Sequence, residues 1–188
     1  MYRFLCGVKL SLNEVVDFKY DYLLPITDFI TDYRLPITFI PMHKLNLPSF
    51  EYNIKESDGK VWIYDILRKK QVVLTPEEWV RQHFLHYLLN HVHYPKSLIK
   101  VEGGLKFNRL QKRSDIVVFD RTGNPWMIVE CKAPEQSINE STLRQASVYN
   151  ATLKAKYLVL TNGMKTFCCQ IESENKNTVM LNDLPPFE

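Results

Sequence analysis

Two short apolar runs near the middle of the chain are separated by a polar segment, Arg121-Thr122-Gly123-Asn124. Residues 116–119 and 127–129 are apolar at every position, which is typical of strands that are buried on both faces. Glycine and asparagine in the connecting segment favour a tight turn. The pattern therefore predicts a β-hairpin in the core of the fold.

The register of this hairpin decides where its charged residues lie. The turn predicts that Asp120 lies opposite Pro125. The same register places Asp115 opposite Glu130 at the far end of the two strands. Lys132 follows two residues after Glu130 and therefore points to the same face of its strand. We expect two carboxylates and one ammonium group to project together from the end of an apolar strand pair.

Further strand-like segments occur on both sides of the hairpin. They combine β-branched and aromatic residues and are bounded by glycine, proline or asparagine. The pairs Asp58-Gly59 and Asn162-Gly163 predict tight turns between neighbouring strands. The predicted strands cover residues 51–55, 61–64, 71–74, 97–107, 156–161, 165–171 and 178–181.

Two helices are predicted from capping signals. Thr75 suits the N-cap of a helix that runs to about His91, and Glu78 completes a capping box with it. The residues expected on the buried side of this helix recur at helical spacing and are Trp79, Phe84, Leu88 and Val92. A second capping box at residues 137–140 predicts a helix that runs to about Lys154.

The order of the core elements predicts the fold class. A helix, three strands, a helix and a strand follow one another, and this αβββαβ order is typical of an α/β domain with a mixed central β-sheet flanked by helices. An N-terminal β-hairpin precedes this core, and we assign the whole domain to residues 42–188.

Residues 1–41 are expected to form an N-terminal extension. No helix or strand period persists in them, and the tetrapeptide Leu-Pro-Ile-Thr occurs twice. One interpretation is that they lie upstream of the true start of the protein and are poorly ordered. The other is that they form an arm that packs on the domain or on a partner.

Composition excludes few functions. Hydrophobic residues make up 45% and charged residues 24% of the chain, and the formal net charge of +3 permits nucleic-acid binding without predicting it. No segment is long and apolar enough for a membrane span. The sequence has no Gly-x-x-x-x-Gly-Lys-[Ser/Thr] motif, so no nucleotide cofactor is expected. The cysteines have no disulfide or zinc spacing, so we expect free thiols and a cytoplasmic protein; they are Cys6, Cys131, Cys168 and Cys169.

The opposed acids raise a physical objection that a metal ion would remove. Like charges directly opposite each other destabilise a sheet, and a buried unpaired charge is costly. A divalent cation between Asp115 and Glu130 would neutralise both carboxylates, and carboxylate oxygens suit Mg²⁺ or Mn²⁺. Such an ion next to a lysine provides what phosphodiester hydrolysis needs. The alternative is that both acids face solvent at the strand ends.

These residues resemble the PD-(D/E)xK nuclease superfamily, and they look most like the N-terminal nuclease domain of type I restriction enzyme R subunits. The resemblance runs from about Leu45 to Gly163. Its motifs are Arg-Ser-Asp-Ile-Val-Val at 113–118, Val-Glu-Cys-Lys-Ala-Pro at 129–134, and Gln-x-x-x-Tyr at Gln145 and Tyr149. Ser114 stands where the superfamily name has proline. The resemblance implies a restriction-endonuclease-like core.

The resemblance also implies roles for residues of the hairpin. Asp115 and Glu130 would bind the metal, and the backbone carbonyl of Cys131 would be a further ligand. Lys132 would orient or deprotonate the attacking water and stabilise negative charge on the phosphate. The alternative for Lys132 is an ordinary ion pair with one of the two acids.

Other candidate residues lie outside the hairpin. Gln145 and Tyr149 share one face of the second helix, and the resemblance implies that they support the site. Glu78 is either a further acid from the first helix or only part of its capping box. The basic residues expected to contact DNA phosphates are Lys112, Arg113 and Arg144. The histidines without a recognised zinc spacing are His83, His86, His91 and His93, and we interpret them as helix-face and loop residues.

The leading hypothesis is a Mg²⁺- or Mn²⁺-dependent nuclease that hydrolyses DNA in restriction or defence. DNA is the expected partner, with other subunits of a restriction system as further partners. The alternative hypothesis is a catalytically silent DNA-binding or assembly module that keeps the same fold. Loss of cleavage when Asp115 or Lys132 is replaced would distinguish the first from the second.

Overall fold

The computed structural model describes residues 43–101, 114–143, 154–172 and 178–187. The expected extension at residues 1–41 therefore lies outside the described residues. A three-stranded antiparallel sheet comes first, with strands β1 (Ile54–Ser57), β2 (Lys60–Asp65) and β3 (Lys70–Val73). Asp58 and Gly59 connect β1 to β2 with positive φ angles of 55° and 66°, as the predicted tight turn requires.

A second, larger sheet forms the centre of the domain. Its strands lie side by side in sequence order. Every neighbouring pair is antiparallel except β6 and β7, which are parallel. The six strands are β4 (Ile99–Val101), β5 (Ile116–Phe119), β6 (Pro125–Cys131), β7 (Tyr157–Thr161), β8 (Thr166–Ile171) and β9 (Thr178–Leu181). The predicted α/β class with a mixed sheet is thus confirmed.

Within residues 97–101, the described part of the predicted first core strand, the strand begins later than the sequence predicts. A 3₁₀ turn occupies Lys96–Leu98, and β4 then covers Ile99–Val101. Residues 102–113, which include the expected bend at Gly103 and Gly104, lie outside the described ranges.

Helix α1 (Pro76–Asn90) begins at the predicted cap and ends one residue before the predicted end. The Thr75 hydroxyl accepts a hydrogen bond from the Glu78 amide at 3.0 Å. The expected buried side is confirmed for Trp79, Phe84 and Leu88. α1 also buries polar residues that the apolar spacing did not predict, and these are Glu78, Arg81, Gln82 and His83.

The second helix begins at residue 140 and is described to residue 143. The predicted cap at Ser137 is wrong, because Asn139 caps the helix: its side-chain oxygen accepts a hydrogen bond from the Thr142 amide at 2.9 Å. Ile138 and Leu143, which flank the first turn, are both buried in one apolar cluster. This pair is a hydrophobic staple, and it explains why the cap lies two residues later than predicted.

The register of the β5–β6 hairpin is as predicted along the strands and differs at the turn. Ile116 pairs with Val129, and Val118 pairs with Met127. A bulge follows, so that Phe119 rather than Asp120 lies opposite Pro125. Asp120 instead belongs to the turn, where its carboxylate accepts hydrogen bonds from the amides of residues 122 and 124.

Both faces of the central sheet are covered, which explains the uninterrupted apolar runs. Met127 and Val129 pack in the same core cluster as α1 and the small sheet. Ile128 packs in a second cluster with Ile138 and Leu143 at the start of the second helix. Cys131, Cys168 and Cys169 are buried. In the described ranges, no helix is long and apolar enough to cross a membrane.

Gly163 is expected to tolerate alanine less well than Gly123. Both have positive φ angles, 78° and 88°, which cost a residue with a Cβ about 1–2 kcal/mol. A Cβ at Gly163 would lie 2.8 Å from Cδ2 of the buried Leu45, whereas a Cβ at Gly123 would meet no atom within 4 Å. Urea unfolding should therefore show that Gly163→Ala loses about 1 kcal/mol more than Gly123→Ala. Equal losses would mean that Leu45 moves aside freely.

Candidate functional site

Asp115 lies at a bend just before β5 and is almost fully buried, with 12% of its side chain exposed. Its Oδ2 accepts a hydrogen bond from the backbone amide of Cys131 at 2.7 Å. The backbone amides of a strand point along the plane of the sheet. The Asp115 carboxylate therefore takes the place of the backbone carbonyl that would accept the next hydrogen bond between the two strands. The carboxylate is therefore held between the ends of β5 and β6.

The second contact of Asp115 comes from helix α1. Arg81 donates from Nη2 to Asp115 Oδ1 at 2.7 Å, and the two residues are 34 positions apart in the sequence. The same guanidinium donates from Nη1 to the Glu78 carboxylate and lies 3.3 Å from Glu77 Oε1. Burial acts to lower the pKa of Arg81, but the charges of Asp115 and Glu78 raise it above its ordinary value. Arg81 is thus a firmly charged counter-ion of Asp115.

Glu78 connects Arg81 to a second arginine. Arg68 donates to Glu78 Oε1 at 2.6 Å, and Gln82 donates to the same oxygen at 2.8 Å. Burial raises the pKa of Glu78, while the hydrogen bond from Gln82 and the charges of both arginines oppose the rise. Glu78 provides only its backbone amide to the N-cap. Within the described residues its carboxylate faces these partners, so the reciprocal half of the predicted capping box is not formed.

Asp65 completes the row of charges. Arg68 donates to Asp65 Oδ2 at 2.7 Å, and Oδ1 accepts the amides of residues 67 and 68. Burial acts to raise the pKa of Asp65, but the hydrogen bonds from Arg68 and Gln82 bring it below its ordinary value. We refer to the five ionised residues of this row as the buried charge network; they are Asp65, Arg68, Glu78, Arg81 and Asp115. Three carboxylates face two guanidinium groups, which leaves a net charge of −1.

Glu130 is the last residue but one of β6, and Lys132 follows the strand; between them lies Cys131, whose amide donates to Asp115. Glu130 follows the pair formed by Ile116 and Val129, so the register brings its backbone opposite Asp115, as predicted. It is half-buried, as is Lys132, whose amide donates to Thr161 O at 2.8 Å. Strand alternation places the Glu130 side chain on the sheet face of Ile128, whereas Asp115 is contacted by Arg81 of α1, which packs on the other face together with Cys131. An ion shared by the two carboxylates would therefore have to lie at the strand ends, between the two faces.

The chemistry of these residues fits a hard divalent cation. In the part of the chain that the structure describes, however, no three histidine, cysteine or acidic side chains surround a common metal position. Among the described residues, Oδ1 of Asp115 accepts a hydrogen bond from Arg81 and Oδ2 accepts one from the Cys131 amide; a carboxylate oxygen has two lone pairs. The network carries one excess negative charge. The thiol of Cys131 does not fit, because burial raises its pKa well above the ordinary value and keeps it protonated.

Several predicted site residues cannot be placed. Gln145 and Tyr149 lie outside the described residues. The same is true of the three predicted phosphate contacts, Lys112, Arg113 and Arg144.

The histidines of α1 have a packing role. The His83 ring nitrogen Nδ1 lies 3.2 Å from Pro48 O, and the ring packs edge-on against Phe50 and Trp79. His86 stacks on Phe50 with ring centroids 4.0 Å apart. Burial lowers the pKa of both histidines. These contacts agree with the interpretation of both residues as part of the helix face.

Sequence reasoning missed Arg81, Arg68 and Asp65. One signal was present, because Arg81 follows Glu78 by three positions and such pairs meet on a helix surface. No local pattern indicates that Asp65, at the end of β2, would reach the same network.

The fold and the site define a class of α/β proteins: a mixed sheet whose central hairpin ends in a carboxylate, held by an arginine of the first helix. The chain belongs to the family of the type I restriction enzyme R protein N terminus, whose family model matches residues 76–185, more than half of the chain. The match begins at α1 and extends past β9, and the resemblance seen in the sequence is thereby confirmed. No curated protein matches the chain.

Proposed function

We propose that the protein is a metal-dependent nuclease that hydrolyses phosphodiester bonds of DNA in a restriction-type system. The observation that carries the proposal is the position of Asp115. Its carboxylate is held at the end of the central hairpin, opposite the backbone of Glu130, by the amide of Cys131, the residue before Lys132. Membership of a restriction enzyme family supports the same function. On this proposal the mixed sheet and its helices form a restriction-endonuclease-like core.

The residues of the hairpin would share the work as follows. Asp115 and Glu130, together with the Cys131 carbonyl, would hold Mg²⁺ or Mn²⁺. When bound, such an ion polarises a phosphate and makes water a better nucleophile at neutral pH. The Cys131 amide keeps the Asp115 carboxylate in one orientation, so little reorganisation is needed on binding.

Lys132 would act on the attacking water and on the developing phosphate charge. Its backbone is fixed by the hydrogen bond to Thr161 O on the neighbouring parallel strand. Gln145 and Tyr149 would support the site, and Lys112, Arg113 and Arg144 would contact the DNA backbone. Glu78 would act through Arg81, since its carboxylate is already occupied by Arg68, Arg81 and Gln82.

A second candidate function is a silent DNA-binding or assembly module of a restriction-type complex. One observation favours it: Arg81 already neutralises Asp115 at 2.7 Å, so the fold does not need a metal ion to compensate this carboxylate. On this alternative the buried charge network is only structural, and the protein binds DNA without cutting it.

The two candidates are separated by the effect of Lys132→Met. Purified protein with Mg²⁺ is expected to nick or linearise plasmid DNA, and Lys132→Met should lower the initial rate by at least about 10²-fold, because general acid–base and charge-stabilising groups contribute on that scale. Lys60→Met removes the same charge from the tip of the β1–β2 hairpin and should change the rate less than about threefold. Mg²⁺-independent DNA binding without any cleavage, even with partner subunits present, would favour the silent module.

A further inference from the structure

We infer that Arg81 competes with the divalent cation for Asp115 and thereby sets the affinity of the site for the ion. In the structure Arg81 is the counter-ion of Asp115; on this inference, the guanidinium would give up this carboxylate on cation binding. The inference rests on the function proposed above and adds a residue that controls loading of the site.

The hydrogen bonds to the two oxygens of Asp115 differ in how readily they can be broken. Oδ2 is bonded to the Cys131 amide, which belongs to the sheet backbone and cannot move away. Oδ1 is bonded to a side chain, Arg81 Nη2. A cation that binds Asp115 on the side of Oδ1 would stand close to the guanidinium, and like charges repel strongly in a site where the side chains are 7% and 12% exposed.

Arg81 has other acceptors to which it can turn. Its Nη1 is bonded to Glu78, and its Nη2 lies 3.3 Å from Glu77 Oε1 as well as 2.7 Å from Asp115 Oδ1. Glu77 is at the edge of the network, with 42% of its side chain exposed. A small rotation would exchange Asp115 for Glu77, and the guanidinium would keep two carboxylate partners. Release of Asp115 therefore does not leave a buried unpaired charge.

Charge also favours the exchange. With both arginines in place, the network has a net charge of −1 and Asp115 is fully paired. Without Arg81 the net charge would be −2, and the carboxylates of Glu78 and Asp115 would both lack this partner. A divalent cation should then bind more tightly, because it meets more negative charge and one positive charge fewer.

Arg68 provides a matched control. It belongs to the same network and pairs with Asp65 and Glu78, whereas Asp115 accepts hydrogen bonds from Arg81 and Cys131. Replacing either arginine by methionine removes one buried positive charge of the network. Only the replacement of Arg81 removes a direct competitor for Asp115.

The test is Mn²⁺ binding to the full chain, measured from the electron paramagnetic resonance signal of free Mn²⁺. Arg81→Met is expected to bind Mn²⁺ at least about tenfold more tightly than the wild type. Arg68→Met changes the net charge equally but removes no described contact of Asp115, so it should tighten binding by less than about threefold. Asp115→Asn should abolish saturable Mn²⁺ binding, both in the wild type and in combination with Arg81→Met. Unchanged or weaker binding by folded Arg81→Met would overturn the inference.

A second measurement uses the wild type and does not depend on whether Arg81→Met folds. The side-chain N–H signals of Arg81 in a ¹⁵N NMR spectrum, assigned by their loss in Arg81→Lys, should shift as Mg²⁺ is added and the Asp115 pair opens. Signals that stay constant at saturating Mg²⁺ would show that the pair is permanent. Mn²⁺ binding that does not depend on Asp115, in the wild type and in the arginine variants alike, would refute the proposed metal-dependent function as well. Saturable binding that is insensitive to Arg81 would refute this inference alone.

Discussion

Replacing Asp115 by asparagine is expected to lower the rate of Mg²⁺-dependent DNA cleavage by at least about 10³-fold, since a lost charged ligand removes several kcal/mol of metal binding and transition-state stabilisation. Asparagine has nearly the same shape and can still accept the Cys131 amide, so the hairpin should stay folded. The measurement is the initial rate of plasmid nicking under saturating Mg²⁺, together with the circular dichroism spectrum of the variant.

Asp120→Asn is the control for this experiment. Asp120 is on the same hairpin, but its carboxylate caps the turn through the amides of residues 122 and 124. An asparagine at this position can accept the same two hydrogen bonds. The cleavage rate of Asp120→Asn should therefore stay within about threefold of the wild-type rate. Equal rates in wild type and Asp115→Asn would indicate a contaminating nuclease and would end the enzymatic proposal.

Replacing Glu78 by alanine is expected to have the largest effect on stability. Glu78 is 5% exposed and separates two arginines that both donate to it. Its removal leaves donor groups of two buried guanidiniums and of Gln82 without an acceptor, and breaking buried charged contacts of this kind costs about 3–5 kcal/mol. For a chain of this length, such a loss lowers the melting temperature by about 10 °C. Differential scanning calorimetry in the absence of divalent cations measures the shift.

The adjacent residue Glu77 gives a control on the same helix turn. Its side chain is 42% exposed and lies 3.3 Å from Arg81. A surface ion pair of this kind contributes at most about 1 kcal/mol, so Glu77→Ala should lower the melting temperature by only a few degrees. Similar shifts for the two variants would mean that the charges around Glu78 are solvated, contrary to the burial described above.

The contact between Arg81 and Asp115 changes how the site is interpreted. The sequence predicts two opposed acids at a strand end, and such a pair needs a cation. The structure contains an internal cation for one of them, because the guanidinium of α1 contacts Asp115 directly. The proposed competition between Arg81 and the cation therefore predicts tighter Mn²⁺ binding by Arg81→Met, whereas the silent module predicts only a loss of stability.

Much of the fold was predictable because its signals are local. The cap at Thr75, the turns at Asp58-Gly59 and Asn162-Gly163, and the apolar runs of the hairpin depend on residues a few positions apart. The hairpin register beyond the bulge was also predicted, since a buried face permits only one alternation of side chains. The cap at Asn139 was missed because the buried pair of Ile138 and Leu143 outweighs a motif that is common in sequences.

The local pattern was thus sufficient for α1 and most of the described strands, for the backbone position of Asp115 opposite Glu130, and for the family. Packing alone decided the partners of Asp115. The contact with Arg81 spans 34 residues, and the contact of Gln82 with Asp65 spans 17. Such pairs form only when α1 lies against both sheets, because burial forces charged groups to find partners wherever the fold brings them. The spacing of residues in the sequence does not indicate which distant residues will make these contacts.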